Sequence, residues 1–236
     1  MRGIILAAGK GSRIADMTEG LPKGFLKIGD VRIIDHQIQS LRSLGISEIV
    51  IVTGYKSICF EEAYGKCADI TLVYNPFYAH CNVLGSVWFA RKWLKDGFFF
   101  LHGDTYFDPT ILKDLAQSKE EIVLAVEKKR TVEEEMKVRI EDGKIVEINK
   151  TMACLSAQGE FIGIAKFNKR SVPIIIDRIN YNIERLGRLN DFFEVVIQSM
   201  IDEGQSIYPL DTNKRFSIEI DFPEDYVRAL QKIAES

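Results

Sequence analysis

The stretch from Ile4 to Gly29 constrains this chain more than any other. Ile4-Ile5-Leu6-Ala7-Ala8 is an apolar run with strand character, and it stops at Gly9-Lys10-Gly11-Ser12-Arg13. Leu21-Pro22-Lys23-Gly24 then leads into a second apolar run, Phe25 to Ile28. This is the layout of an anion cradle. Gly9 and Gly11 can adopt backbone angles closed to other residues and let main-chain N–H groups approach a phosphate, while the neighbouring cations balance several negative charges.

Two familiar Gly-rich readings fail on spacing. A dinucleotide fingerprint needs a third glycine three residues after Gly11, where this chain has Ile14. A P-loop needs Gly-Lys-Ser/Thr at its end, which is absent. A bland surface loop with incidental lysines does not explain why strand, glycine pair, Arg13 and Pro22-Lys23 occur together.

Downstream, strands and helices alternate, which makes the class α/β. Ile33 to Leu44 has a helical period that stops at Gly45, Ile46 to Thr53 reads as a buried strand, and a short helix from Ile58 to Tyr64 precedes a strand at Ile70 to Tyr74. Asn75-Pro76 opens a loop, and Val83 to Trp93 reads as a helix. Asn82 is placed to cap that helix, with Gly85 and Ser86 in its first turn, where small side chains leave room for a planar base. Gly97 to His102 is an apolar strand ending in Gly103-Asp104-Thr105, and ligands sit at the carboxyl ends of parallel strands. His102 reads as a satisfied neighbour of that strand.

A helix over Pro109 to Ala116 and a strand over Glu121 to Val126 follow. Met136 to Ile140 and Lys144 to Ile148 alternate around Asp142-Gly143, a hairpin signal. Lys137 and Lys150 flank this hairpin, and solvated strand lysines are the default for both. Gly159 to Phe167 is a returning strand, Ser171 to Leu186 and Asn190 to Met200 read as helices, and Ser206 to Leu210 and Phe216 to Ile220 as the last strands. Glu219-Ile220-Asp221 then precedes a closing helix that Pro223 opens. Asp221 could serve only as a helix cap, yet a second strand-end acid remote from Asp104 is what a two-acid metal site requires. Strand alternation sends Glu219 and Asp221 to one face, so either is eligible as the ligand.

Composition narrows the partners. The net charge of -3 over 236 residues offers neither a basic footprint for nucleic acid nor a polybasic membrane signal. The apolar run at Ile4 is too short for a signal-peptide core, and nothing approaches the roughly 18 apolar residues of a membrane span, so a cytoplasmic location is expected. Cys59, Cys67, Cys81 and Cys154 form no C-x-x-C pair and suggest neither zinc nor a disulfide framework.

The Gly9 to Arg13 loop, Pro22-Lys23, Gly103-Asp104 and Glu219-Ile220-Asp221 together resemble the GT-A-like nucleotidyltransferases across nearly the whole length. Asn75-Pro76-Phe77-Tyr78, Asn82 with Ser86, Lys150 and Gly159 to Ile164 are most similar to bacterial cytidylyltransferases that act on phosphocholine or 2-aminoethylphosphonate. The resemblance implies one nucleotidyltransferase domain over residues 1–236: a three-layer α/β sandwich with a mostly parallel, mixed central sheet and a small β-hairpin excursion near 136–150. It implies CTP and a small phosphorylated acceptor as substrates, Mg2+ as cofactor and pyrophosphate as product. Leu6, Ala7, Ala8, Gly9, Gly11, Ser12, Arg13, Lys23, Asn82 and Ser86 would hold the nucleotide, with Lys23, Arg13 and Asp104 carrying catalysis. Asp104, Asp221 and Glu219 would hold the metal. Lys150, Glu160, Asp191 and Tyr78 would face the acceptor, with Phe107, Asp108, Phe192 and Glu194 also eligible for an ammonium end. Gly24 stands where sugar nucleotidyltransferases often carry proline or alanine, which tells against a sugar 1-phosphate. A glycosyltransferase would want an acidic pair at Asp104, and a catalytically silent subunit need not keep cradle, Lys23 and both acids together.

Overall fold

The computed structural model describes residues 1–234. In chain order it contains β1 (Arg2–Ala7), β2 (Lys27–Ile28), β3 (Val31–Arg32), α1 (Ile33–Ser43), β4 (Ile49–Thr53), α2 (Ser57–Tyr64), β5 (Ile70–Tyr74), α3 (Val83–Ala90), β6 (Phe98–His102) and β7 (Thr105–Phe107). It continues with α4 (Pro109–Gln117), β8 (Ile122–Glu127), β9 (Lys137–Glu141), β10 (Lys144–Asn149), β11 (Gly159–Phe167), α5 (Val172–Asn180), α6 (Glu194–Asp202), β12 (Tyr208–Asp211), β13 (Ser217–Glu219) and α7 (Pro223–Ala234).

One sheet runs β10-β9-β11-β6-β1-β4-β5, with β8 and then β12 joined to it through β11. β6, β1, β4 and β5 are mutually parallel, and β11 lies antiparallel to β6. The apolar runs are continuous because the parallel strands are covered on both faces. Ile4, Val50, Phe98 and Phe100 pack with Val87, Ile175 and Val196 of α3, α5 and α6. Their neighbours in sequence, Ile5, Ile51, Phe99 and Leu101, pack with Ile38, Phe60 and Leu112 of α1, α2 and α4. Alternation along each strand therefore feeds two cores, and the three-layer α/β expectation holds.

Several boundaries differ from the sequence reading, and three of them have a clear local reason. Ile46 donates its N–H to the Leu41 carbonyl and closes α1, so β4 starts at Ile49. The helix expected to Leu186 is α5 followed by a wide π turn over Tyr181–Arg185. The helix expected from Asn190 begins at Glu194, because Asp191 gives its carbonyl to the Leu84 N–H at the start of α3.

The hairpin of β9 and β10 turns at Asp142 and Gly143, both with positive φ. Lys137 on β9 is not a solvated lysine. It is 1% exposed, and its ammonium donates to the carbonyls of Glu133, Glu135 and Lys150 at 2.7, 3.2 and 2.6 Å. Burial with three acceptors is how such a charge is tolerated.

Adjacent strand ends set up the site. β1 and β6 run in register to Leu6 and His102, and Gly103 donates to the Leu6 carbonyl. β7 pairs antiparallel with β13, matching Thr105 to Glu219, and Ile220 donates to the Asp104 carbonyl at 3.1 Å. That pairing delivers the 219–221 segment to Asp104.

Phe100 is fully buried and stacks on Phe193 at 4.7 Å, linking β6 to the segment before α6. Phe100→Ala should lower unfolding free energy by about 3–5 kcal/mol, read from denaturant titration.

Candidate active site

The loop after β1 turns at Gly11, with φ 62° and ψ 43°, and enters a short 3-10 turn over Ser12–Ile14 whose Ile14 side chain is buried. A side chain at Gly11 would carry the cost of left-handed backbone and would also meet Lys23 Cβ at 3.2 Å. The loop forms one wall of a cleft of about 330 Å³. Of the sequence-predicted nucleotide residues, Leu6, Ala7, Gly9, Gly11, Ser12, Arg13 and Lys23 all line it. Ala8 turns its side chain away, toward Val52 and Ala90. The Arg13 guanidinium lies 5.0 Å from the Phe222 ring centroid, which holds it across the cleft mouth.

Opposite the loop, the Lys23 ammonium donates to Asp104 and to Asp221, each at 2.6 Å. Burial opposes its charge, but the two carboxylates outweigh that and hold it above the ordinary lysine range. Burial likewise works against ionised Asp104, and Lys23 foremost brings it below the usual carboxylate value. Gly24 explains how the segment comes so close: a Cβ there would sit 3.2 Å from the Gly103 carbonyl. Gln37 of α1 donates to the carbonyls of His102 and Thr105, both at 2.7 Å, and so fixes the turn that carries Asp104.

The strand-end acids fit a hard cation. Asp104 and Glu219 bring ligand atoms within 4.8 Å of each other and of a ring nitrogen of His102. Glu219 and Asp221 do not share a face as alternation implied. β13 ends at Glu219, which turns to His102, whereas Asp221 lies past the strand and turns to Lys23. Both remain beside Asp104. Lys23 stands between Asp104 and Asp221 as a cation in its own right, so this pair of carboxylates is built to hold positive charge.

A second, acidic region, which Glu219 also lines, adjoins the first through Asp221. Lys129 lies at its wall, 2.7 Å from Glu160, 2.9 Å from Glu127 and 3.0 Å from Glu135. Burial pushes the Glu160 carboxyl up to about 7 even though Lys129 opposes the rise, and Glu135 and Glu219 add to it. Lys150 places its ammonium 4.7 Å from the Phe192 ring centroid, and its charge is felt by buried Glu194.

Residues 3–175 match the MobA-like NTP transferase domain. The chain belongs to that family. Its members are nucleotidyltransferases, and this protein is one. It is 25% identical to a CTP:phosphoglutamine cytidylyltransferase of Campylobacter jejuni over a 256-residue alignment that covers 98% of this chain and 100% of the relative. It is 29% identical to a choline-phosphate cytidylyltransferase of Haemophilus influenzae over 235 residues, 99% of this chain and 97% of that one. The solved CTP:phosphocholine cytidylyltransferase of Streptococcus pneumoniae shares the fold, with a TM-score of 0.83 over 98% of both chains at 22% identity. Among the described residues of this nucleotidyltransferase, no helix is long and apolar enough to cross a membrane.

Not every expected site residue reaches the site. Tyr78 packs beside Ala8 and Val52 and meets the ring of Tyr55, on the far side of β1 from the acidic region. Asp191 pairs with Arg188 at 3.7 Å and spends its carbonyl on α3. Phe107 is core, and Asp108 caps α4 by accepting from the Thr110 N–H. Ser86 is buried, with its hydroxyl accepting from Asn75 at 3.0 Å, so of the two base-side candidates only Asn82 keeps a partly open side chain, even as it caps α3. His102 is the residue that sequence reasoning undervalued. Burial opposes its charge, yet Glu219, Glu194 and Asp104 together carry it up to about 9. Its Nε2 has no hydrogen-bond partner among the described residues, which rules out a satisfied neighbour.

The raised Glu160 carboxyl has a measurable sign. Its ordinary value is 4.5, so between pH 4.5 and 7 the folded chain binds more protons than the unfolded one, and this group's contribution to stability falls as pH rises through that window. Glu160→Gln should therefore raise the melting temperature at pH 8 relative to that at pH 5 by a few degrees, measured by thermal denaturation at both.

Proposed function

We propose that this nucleotidyltransferase transfers CMP from CTP to a small phosphorylated or phosphonate acceptor that carries an amino or choline group, with release of pyrophosphate. The observation that carries the reading is Lys23, held at 2.6 Å from both Asp104 and Asp221 across a narrow cleft from the Gly9 to Arg13 loop. The named activities of the full-length relatives support cytidine and a charged, non-sugar acceptor.

In this reading the β- and γ-phosphates lie along Gly9, Gly11, Ser12 and Arg13. Main-chain N–H groups and the guanidinium supply the donors there. Lys23 faces the transferring phosphate, and its ammonium keeps its charge throughout the working pH range. Asn82 borders the base. Asp104, with Asp221 and Glu219, would hold Mg2+, which supplies charge neutralisation for the phosphates when bound. On the other side Lys150 receives the acceptor's phosphate or phosphonate, and the carboxylates around Lys129, Glu160 among them, face its cationic end.

No general base is required, because an acceptor phosphate oxygen is already anionic near neutral pH. It attacks the α-phosphorus of CTP, and the bond to pyrophosphate breaks. The side chains contribute alignment and electrostatic stabilisation of the charge that develops. The acidic region suits a cationic end better than a neutral sugar ring, since three carboxylates share the single positive charge of Lys129 and a neutral ring would add none.

The test is pyrophosphate release with Mg2+ across the four nucleoside triphosphates, each offered phosphocholine, 2-aminoethylphosphonate and a set of sugar 1-phosphates. CTP-dependent release with an amino or choline acceptor is expected. Release only with a sugar phosphate overturns the acceptor, and no release with any pair overturns the activity. Asp104→Ala should reduce turnover on the order of a hundredfold or more, by comparison with loss of one strong electrostatic stabiliser. Normal turnover in that variant would remove Asp104 from the metal site.

A further inference from the structure

We propose that His102 is itself a metal ligand, so that the centre of this enzyme is a mixed imidazole and carboxylate site built from His102, Asp104 and Glu219, with Glu194 behind the imidazole. The proposal rests on the nucleotidyltransferase reading for its purpose but on geometry of its own.

His102 ends β6 two residues before Asp104, and its ring enters the space between two acids from different parts of the chain. Nδ1 lies 3.4 Å from Glu219, and Nε2 lies 3.8 Å from Glu194. Neither distance is that of a closed hydrogen bond between nitrogen and oxygen. Nε2 and both carboxylate oxygens of Glu194 are buried without a hydrogen-bond partner among the described residues, and Glu194 is only 2% exposed. An acid buried this deeply needs a partner, and His102 is the cation-forming group its carboxylate faces.

The backbone makes room for this ring. At Gly163, β11 takes φ +74°, and a Cβ there would come within 2.5 Å of His102 Nδ1. The bulge in β11 between Phe161 and Ala165 thus leaves the imidazole free to address the gap between Asp104 and Glu219. One ligand atom from each of the three residues falls within 4.8 Å of the others. A cation with bonds of about 2.1 Å draws its ligand atoms to roughly 3 to 4.2 Å apart, so a small closure completes the set. Donation of Nε2–H to Glu194 would fix the tautomer and leave the Nδ1 lone pair for the metal, the usual way a carboxylate orients a ligating histidine. Coordination displaces any proton that Nδ1 carries.

Imidazole shifts the preference of a carboxylate site away from Mg2+ toward Mn2+ and Co2+. The intact chain should therefore bind Mn2+ more tightly than Mg2+, and His102→Gln should remove that advantage, weakening Mn2+ on the order of tenfold while changing Mg2+ little. Glu194→Gln should weaken Mn2+ about tenfold while leaving the imidazole bound.

Electron spin echo measurements on Mn2+ with the whole chain, alone and with α,β-methylene CTP, decide the matter. Imidazole nitrogen modulation is expected, and it should change isotope when the protein is made with 15N-histidine. Absence of that modulation in the unsubstituted protein overturns the proposal, as does its survival in folded His102→Gln. Absence of histidine coupling needs no variant to overturn the proposal, and if His102→Gln does not fold, His36→Gln and His80→Gln, which should both keep the modulation, assign it among the three histidines. Pyrophosphate release separates this from the activity itself. Release without imidazole coupling overturns only the histidine ligand, and imidazole coupling without release for any acceptor overturns only the proposed reaction.

Discussion

The site depends on one buried ammonium between two carboxylates. Lys23, Asp104 and Asp221 come from a loop, a strand end and the approach to the last helix. Two acids that face one small volume repel each other, and burial magnifies the repulsion. Lys23 offsets it with its own positive charge. Its partners are held firmly by uncharged contacts: Gln37 fixes the carbonyls on either side of Asp104, and the closeness of Gly24 to Gly103 leaves the lysine little room to stray. Removing the ammonium would leave two partly buried like charges uncompensated, a costlier change than loss of a fully exposed ion pair.

Around this junction the charge is divided by side. The wall proposed for the nucleotide is made of glycines, Ser12 and Arg13, a surface suited to polyanions. The opposite region carries Glu127, Glu135 and Glu160 gathered on Lys129. An acceptor that is anionic at one end and cationic at the other would find its orientation set before any side chain moves, because reversing it would put phosphate among carboxylates.

Much of this was legible in the sequence. The order of strands and helices followed from apolar runs and their punctuation, and the hairpin followed from Asp142-Gly143. That Gly9, Gly11, Ser12 and Arg13 share one cleft wall was legible because the loop folds locally after β1. The acceptor side was not, since it depends on which of several nearby residues the fold turns inward. Within Asp191, Phe192 and Glu194, the N–H of Leu84 takes Asp191's carbonyl, Phe192 reaches Lys150, and Glu194 starts α6 facing His102. Tyr78 follows an Asn-Pro turn that could have led to either side of β1. His102 offered nothing to read: its partners arrive from α6 and β13, and the glycine that admits its ring is on a fourth element, β11.

Lys23 and Asp221 are 198 positions apart in the chain and touch in space. A triphosphate with its cation, seated across that junction, acts as a removable cross-link between the first loop and the segment leading into α7. Asp221 follows β13, which pairs with β7 outside the main sheet, so the binding free energy of such a ligand would be added to the free energy of detaching β13 and α7 from the first loop. Nucleotide supply would thus govern the protease resistance of the protein as well as its turnover.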